Sequence, residues 1–229
     1  MRIGGFQKVT LTDFPGKIAA IVFTIGCPFR CGFCHNPELV LPPFGERIAE
    51  EEVFSYLKRR AGLLEGVVIT GGEPTIHGDL LRFIEEVRDE GLAVKLDTCG
   101  YLPDRLEPIL CSGLVDYIAM DIKAPFGKYS SVVGVQIDEE KIQRSIRLIL
   151  DSGILHEFRS TLVEGIHTGE DIIEMARLIQ GADVYYLQRF RQAPKLVNPQ
   201  FVLKQALPDS LLSHFRVQCC LYVKKCEVR

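Results

Sequence analysis

The chain has no excess of basic residues, no long apolar run and no low-complexity tract, and each absence excludes something. Its 27 Lys and Arg against 30 Asp and Glu leave a net charge of −3. That gives no general electrostatic case for binding nucleic acid or an anionic membrane. The longest apolar stretch, Ile18 to Ile25, is far short of the roughly 20 residues that span a bilayer. Met1–Thr10 holds no apolar segment of signal-peptide type, so a reducing cytoplasm is the expected location. No Gly/Ser tract marks a linker and no residue pattern repeats, which predicts one domain over residues 1–229. No long run of like charge occurs and 47% of residues are apolar, which excludes acidic disorder. A chain of 229 residues also needs no disulfide framework to hold a core.

What is present is an alternation of two periods. Runs rich in β-branched and aromatic residues fall at Ile18–Ile25, Val67–Thr70, Ala93–Asp97, Tyr117–Ile122, Glu157–Val163 and Val184–Gln188. Between them, apolar residues follow helical spacing: Val53, Leu57, Ala61 and Leu64; then Leu80, Phe83, Ile84 and Val87; then Ile142, Ile146 and Ile149; then Ile172, Ile173, Ala176 and Ile179. Thr168 with Asp171 three residues on reads as a capping box, and Pro103–Cys111 as a shorter helix. Strand–helix alternation predicts an α/β fold, a parallel sheet with helices packed on it. A full eight-stranded barrel typically takes about 250 residues, so six units suit an open, partial barrel or a doubly wound sheet. Phe215–Val223 reads as an edge strand, and the Pro-rich stretch Asn36–Gly45 as an ordered loop.

The unusual residues fall at one end of these strands. Cys27 follows the first, Gly71-Gly72-Glu73-Pro74 the second, Asp97-Thr98 ends the third, Asp121 and Lys123 the fourth, and Gln188-Arg189 the sixth; Arg159 lies in the fifth. Buried parallel strands otherwise avoid charge, so repeated charge at one end points to one shared site.

The eight cysteines are clustered: Cys27, Cys31 and Cys34 in one loop, Cys219, Cys220 and Cys226 in the tail, with Cys99 and Cys111 apart. Four readings of the first trio compete. A structural zinc site wants four closed ligands, and His35 beside Cys34 is badly placed to complete one. Cys31-Gly32-Phe33-Cys34-His35 matches a haem-attachment string, which leaves Cys27 unexplained. Three cysteines can also be small buried hydrophobes. The fourth reading is an iron–sulfur cluster with three protein thiolates, leaving one iron open as catalytic metal sites do.

The spacing of Cys27, Cys31 and Cys34, with Phe33 before the last, resembles the signature of radical S-adenosylmethionine enzymes, and Gly71-Gly72-Glu73-Pro74 resembles their second motif. The resemblance runs from Phe6 to about Arg191 and implies a partial (β/α)6 barrel, open at the side. It implies that Cys27, Cys31 and Cys34 hold a [4Fe–4S] cluster whose fourth iron is chelated by S-adenosylmethionine. The backbone of Gly71 and Gly72, with Glu73, would receive the methionine amino group, and Phe33 would lie near the adenine. Within the family, Met1–Gly26 and Cys34-His35-Asn36-Pro37-Glu38 resemble the glycyl-radical-enzyme activases, most closely anaerobic ribonucleoside-triphosphate reductase activating proteins. Leu96-Asp97-Thr98-Cys99-Gly100 and Met120-Asp121-Ile122-Lys123 resemble stretches of pyruvate formate-lyase activase. There, acidic and hydroxyl groups help place the adenosylmethionine, partly through a monovalent cation. Asp97, Thr98, Met120 and Asp121 inherit that candidacy, and Lys123 a ribose or carboxylate contact. Where the activase pattern has a histidine after the sixth strand, Tyr186-Leu187-Gln188-Arg189-Phe190 has none, which makes Gln188 the candidate for the ribose.

The implied chemistry is one-electron cleavage of S-adenosylmethionine, with flavodoxin or ferredoxin as donor, and hydrogen abstraction from a glycine of a partner glycyl radical enzyme. It requires no general base, so the five histidines are no objection. The runner-up is a radical enzyme acting directly on a small molecule or peptide. The tail cysteines lack the spacing of a ferredoxin cluster, and the expectation is two buried thiols and one exposed.

Overall fold

The computed structural model describes residues 1–229. The chain opens on a strand that its sequence pattern does not announce. β1 (Ile3–Thr10) runs antiparallel to β2 (Ala19–Thr24) and forms one edge of the sheet. Its middle residues are half-buried or exposed, so it shows none of the apolar density that marks the other strands. From β2 onward every pairing is parallel and in chain order: β3 (Gly66–Gly71), β4 (Ala93–Thr98), β5 (Tyr117–Asp121), β6 (Leu155–Leu162), β7 (Val184–Arg189) and β8 (Cys226–Val228). β1 and β8 do not pair, so the sheet is an open, partial barrel, and β2 to β7 are the six expected strands.

Helices fill the crossovers, as parallel strands require. After β2 come α1 (Pro37–Val40), inside the Pro-rich stretch, and α2 (Glu50–Arg59). α3 (Leu80–Asp89) follows β3 and α4 (Pro103–Cys111) follows β4. α5 (Tyr129–Val133) and α6 (Glu139–Asp151) link β5 to β6, and α7 (Gly169–Leu178) links β6 to β7. The apolar stripes of α3 and α6 are buried at every expected position. The α2 stripe is shorter than its pattern: the helix ends at Arg59, Gly62 takes φ +81, and Ala61 is exposed while Leu64 remains buried. In α7 Met175 is buried and Ile173 only half-buried. One continuous core of 50 buried residues lies between sheet and helices. No helix is long and apolar enough to cross a membrane.

The expected edge strand at Phe215–Val223 is a helix instead, α8 (Asp209–Cys219). The alternation of Phe215, Val217, Cys219 and Leu221 suggests a strand, but the spacing of Leu212, Phe215 and Cys219 is helical, and that period wins. Leu212 and Cys219 are buried, the Phe215 ring abuts Gly169 at the start of α7, and Val217 and Leu221 face solvent. The true edge is the short β8. Cys219 and Cys226 are buried and Cys220 exposed, which matches the expectation although the local structure differs.

The Thr168 hydroxyl accepts from the Asp171 N–H at 3.2 Å, and the Asp171 carboxylate accepts from the Thr168 N–H at 2.8 Å. This is the expected capping box. Thr168→Ala leaves one donor of the first turn unmet, and the expected loss is about 1 kcal/mol. It is read as a lower urea midpoint with an unchanged slope.

Candidate functional site

The carboxyl ends of the parallel strands surround one cavity of about 210 Å³. Cys27, Cys31, Cys34 and Phe33 reach it from the loop after β2, and Gly71, Gly72 and Glu73 from the end of β3. Asp97 and Thr98 enter from β4, and Asp121 and Lys123 from β5 and the turn beyond it. Gln188 does not line it. The Gln188 amide oxygen lies behind Thr161, accepting from its hydroxyl at 3.3 Å, and Thr161 faces the cavity. Met120 points the other way: its side chain is buried against Gly100 and Ser145, since neighbours on a strand face opposite sides. Met120 is therefore no lining side chain. Phe29, Asn36, Thr70, Cys99 and Thr161 line the cavity without having been singled out for it. Thr161 was legible in principle, because it lies two residues beyond Arg159 on the same strand and so on the same face.

Two glycine-bearing segments hold the cysteine loop against β3. The Gly72 N–H donates to Thr24 O at 2.8 Å, and the Glu73 N–H to Gly26 O at 2.7 Å. A Cβ on Gly72 would overlap the Gly26 carbonyl, and Gly71 has φ +114 with no room for a Cβ beside Thr24. Only glycine permits this approach of backbone to backbone. Glu73 is 1% exposed. Its Oε1 accepts from Thr75 N at 3.1 Å, Thr75 Oγ1 at 2.6 Å and Thr98 Oγ1 at 2.8 Å, and its Oε2 from Cys99 N at 2.6 Å. This carboxylate fastens the end of β3 to the end of β4 and keeps Oε2 free to accept one more donor.

No three His, Cys, Asp or Glu side chains are arranged to hold a single metal ion. Three thiols set around one cavity fit the donor set of a cluster better than that of a closed zinc tetrahedron. Burial pushes the Cys27 thiol up to about 12, with the Glu73 carboxylate adding to it. Burial also pushes Cys31 up to about 11, against the pull of Lys123. Both are protonated at neutral pH in the metal-free protein, so loading metal here releases protons.

Beneath the thiols lies a charge cluster. Burial alone would raise the Asp121 carboxyl, but Arg159 Nε at 2.8 Å and Lys123 Nζ at 2.9 Å hold it well below the carboxylate range. Burial likewise acts on Asp97, and Arg159 Nη1 at 3.1 Å with Lys95 Nζ at 3.2 Å outweighs it. Glu157, fully buried, faces Lys95 at 3.6 Å and Arg159 at 3.7 Å. Three carboxylates thus meet four cations from the chain itself, Arg229 standing 3.7 Å from Glu157, while Asp97 Oδ1 and Glu157 Oε1 are buried without a hydrogen bond. Arg159, undecided from sequence, is the bridge between β4 and β5 at the cavity floor.

These features define a class. A profile of the radical SAM superfamily matches residues 21–179, and the chain belongs to that superfamily. The family works with a [4Fe–4S] cluster and S-adenosylmethionine, and the donor set and the glycine-built approach described above fit both groups. MJ1227 of Methanocaldococcus jannaschii, a candidate glycyl-radical enzyme activating enzyme, is 31% identical over 193 residues, 82% of this chain and 79% of its own. The pyruvate formate-lyase-activating enzyme of Clostridium pasteurianum is 32% identical over 127 residues, 53% of this chain and 52% of its own. In fold, SuiB of Streptococcus suis, solved with S-adenosylmethionine bound, superposes with a TM-score of 0.72 at 14% identity, over 91% of this chain and 49% of SuiB.

Because both aspartates are held below their ordinary value of about 3.9, their contribution to stability is complete above that pH and is lost as pH falls through the lowered folded values. Arg159→Gln removes the shared partner. The expected result in metal-free protein is a loss of about 3–5 kcal/mol at neutral pH, with acid unfolding beginning at a higher pH than in the wild type, both read from melting curves across pH.

Proposed function

We propose that the chain activates a glycyl radical enzyme, abstracting hydrogen from a glycine of that partner after reductive cleavage of S-adenosylmethionine. Anaerobic ribonucleoside-triphosphate reductase is the partner we assign, with flavodoxin or ferredoxin as electron donor and the cytoplasm as location. The observation that carries the reading is the meeting of Cys27, Cys31 and Cys34 with Gly71, Gly72 and Glu73 around one cavity. The likeness to MJ1227 over most of both chains supports the activase reading. The reductase assignment rests on the Cys34-His35-Asn36-Pro37-Glu38 string and the N-terminal segment.

In this reading the three thiolates hold the cluster. The backbone of Gly71 and Gly72, with the free capacity of Glu73 Oε2, receives the methionine amino group. Phe33 offers an apolar face to the adenine, and Gln188 reaches the ribose through Thr161. Asp97, Thr98, Asp121 and Lys123 form the polar wall, held rigid by Arg159, so that the methionine and ribose groups meet dipoles already oriented. Bound together, the cluster and S-adenosylmethionine supply the one-electron cleavage and the hydrogen-abstracting species. The chain's own residues fix its direction and exclude water. A sheet left open at one side gives a partner's loop room to enter.

Single replacement of Cys27, Cys31 or Cys34 by Ala is expected to cut bound iron and to abolish 5′-deoxyadenosine release, with circular dichroism unchanged. Incubating the reduced enzyme with anaerobic ribonucleotide reductase is expected to give a glycyl radical doublet by electron paramagnetic resonance. Release of 5′-deoxyadenosine without that doublet on any glycyl radical enzyme would move the reading to direct action on a small molecule or peptide.

A further inference from the structure

The segment between β7 and α8 contributes nothing to the cavity, yet it is fastened to the cysteine loop. The Val197 N–H donates to Cys34 O at 3.2 Å and the Asn198 N–H to Gly32 O at 3.0 Å. His35 Nε2 lies 2.6 Å from Arg191 O. The Phe201 ring fills the space beside Gly32, where a Cβ would overlap it, and its centroid stands 6.3 Å from that of Phe33. No residue of this strap lines the cavity. It is the outer wall of the loop that carries the three thiols.

Its charge is one-sided. Residues 189–208 hold Arg189, Arg191, Lys195 and Lys204 and no carboxylate, in a chain of net charge −3. Arg189 pairs with Asp209 at 2.6 Å and Lys195 with Glu38 at 3.2 Å. Arg191 is exposed, Lys204 half-buried, and neither is in an ion pair although Glu164 follows β6 close by. Exposed Gln192, Gln200 and Gln205 lie among these cations, and apolar surface lies beside them. Leu203 is 84% exposed, and a groove of about 310 Å³ runs between the strap and α1, walled by prolines and by Leu41 and Leu196, with the paired Glu38 and Lys195 in its lining. An apolar centre with a charged rim is the anatomy of a protein interface, and fixed charge of one sign steers a partner of the other.

We propose that this strap docks the protein that delivers electrons to the cluster, and that the partner is a small acidic electron carrier. The charge sets its sign, and the place sets its role. A glycine to be activated must reach the cavity, to which the strap adds no side chain. An electron need only reach the cysteine loop, to which the strap is hydrogen-bonded. One electron leaves the reduced carrier, which is oxidised, and is taken up at the cluster; no group is transferred. The inference rests on the radical SAM reading of the site, and only through the presence of a reducible cluster.

The test uses reconstituted holoenzyme, with Arg191→Glu/Lys204→Glu and, separately, Leu203→Asp. Cluster reduction is followed by loss of visible absorbance, driven either by a reduced flavodoxin of acidic pI or by photoreduced 5-deazaflavin, a small reductant that needs no docking. The flavodoxin-driven rate of the wild type is expected to fall as salt is added, since steering is screened. The charge-reversed variant is expected to be at least tenfold slower with flavodoxin at low salt and unchanged with deazaflavin, and Leu203→Asp slower with flavodoxin alone. Equal flavodoxin rates in wild type and variants, or a wild-type rate indifferent to salt, would overturn the proposal. So would a loss of glycyl radical yield in the variants under deazaflavin, because the surface would then serve the substrate. A wild type that takes electrons but forms no glycyl radical on its partner would sink the activase reading and leave the docking result standing.

Discussion

The site depends on the register of six parallel strands. Thr24 pairs with Gly71, Thr98 with Met120, Asp121 with Arg159 and Thr161 with Gln188, so strands that enter the sheet far apart in sequence end at one level. Side chains alternate between the two faces of a strand. A slip of one residue in any pairing would send a charged side chain among the helices and an apolar one into the cavity. The register is secured by what the other face buries: Val67, Ile69, Leu96, Ile118, Met120, Phe158 and Leu187 all lie in the continuous core. Packing on one side of the sheet therefore positions chemistry on the other.

That coupling explains the charge cluster at the cavity floor. Buried ions are costly unless each meets a partner, and removing one member leaves the others uncompensated. Arg159 reaches Asp97 and Asp121 on neighbouring strands at once. Lys95 extends the network down the strand and donates to Asp13 O at 2.6 Å, in the turn between β1 and β2. The antiparallel edge strand is thus tied to the site through a lysine, although it carries no residue of the cavity. A polar wall tied across neighbouring strands in this way is ordered before any ligand arrives, which is the condition for holding a reactive species in one direction.

The sequence made the interior legible and the edges much less so. The six inner strands and the stripes of α3 and α6 stood out because burial on both faces leaves dense apolar runs and strict helical spacing. β1 did not, because an edge strand carrying Gly4, Gly5, Gln7 and Lys8 has little to bury. α8 was obscured because its apolar residues satisfy two periods, and only contact with α7 decides between them. At the site, the residues that act through type and spacing were visible: three cysteines in one loop, two glycines before a glutamate, acids at strand ends. Arg159 stayed ambiguous because its partners lie on other strands. The same distance hides Lys95 and Glu157, and the strap, whose meaning comes from the loop it touches and not from its own composition.

The proposed function depends on one vacancy in the metal chemistry: three thiolates would serve a four-iron cluster, and the last iron would take S-adenosylmethionine. Electron–nuclear double resonance of the reduced holoenzyme, with S-adenosylmethionine isotopically labelled at its amino nitrogen, reads that bond directly. The account predicts a hyperfine coupling from the labelled nitrogen to the cluster. A reduced cluster that shows none, with S-adenosylmethionine bound, would contradict it.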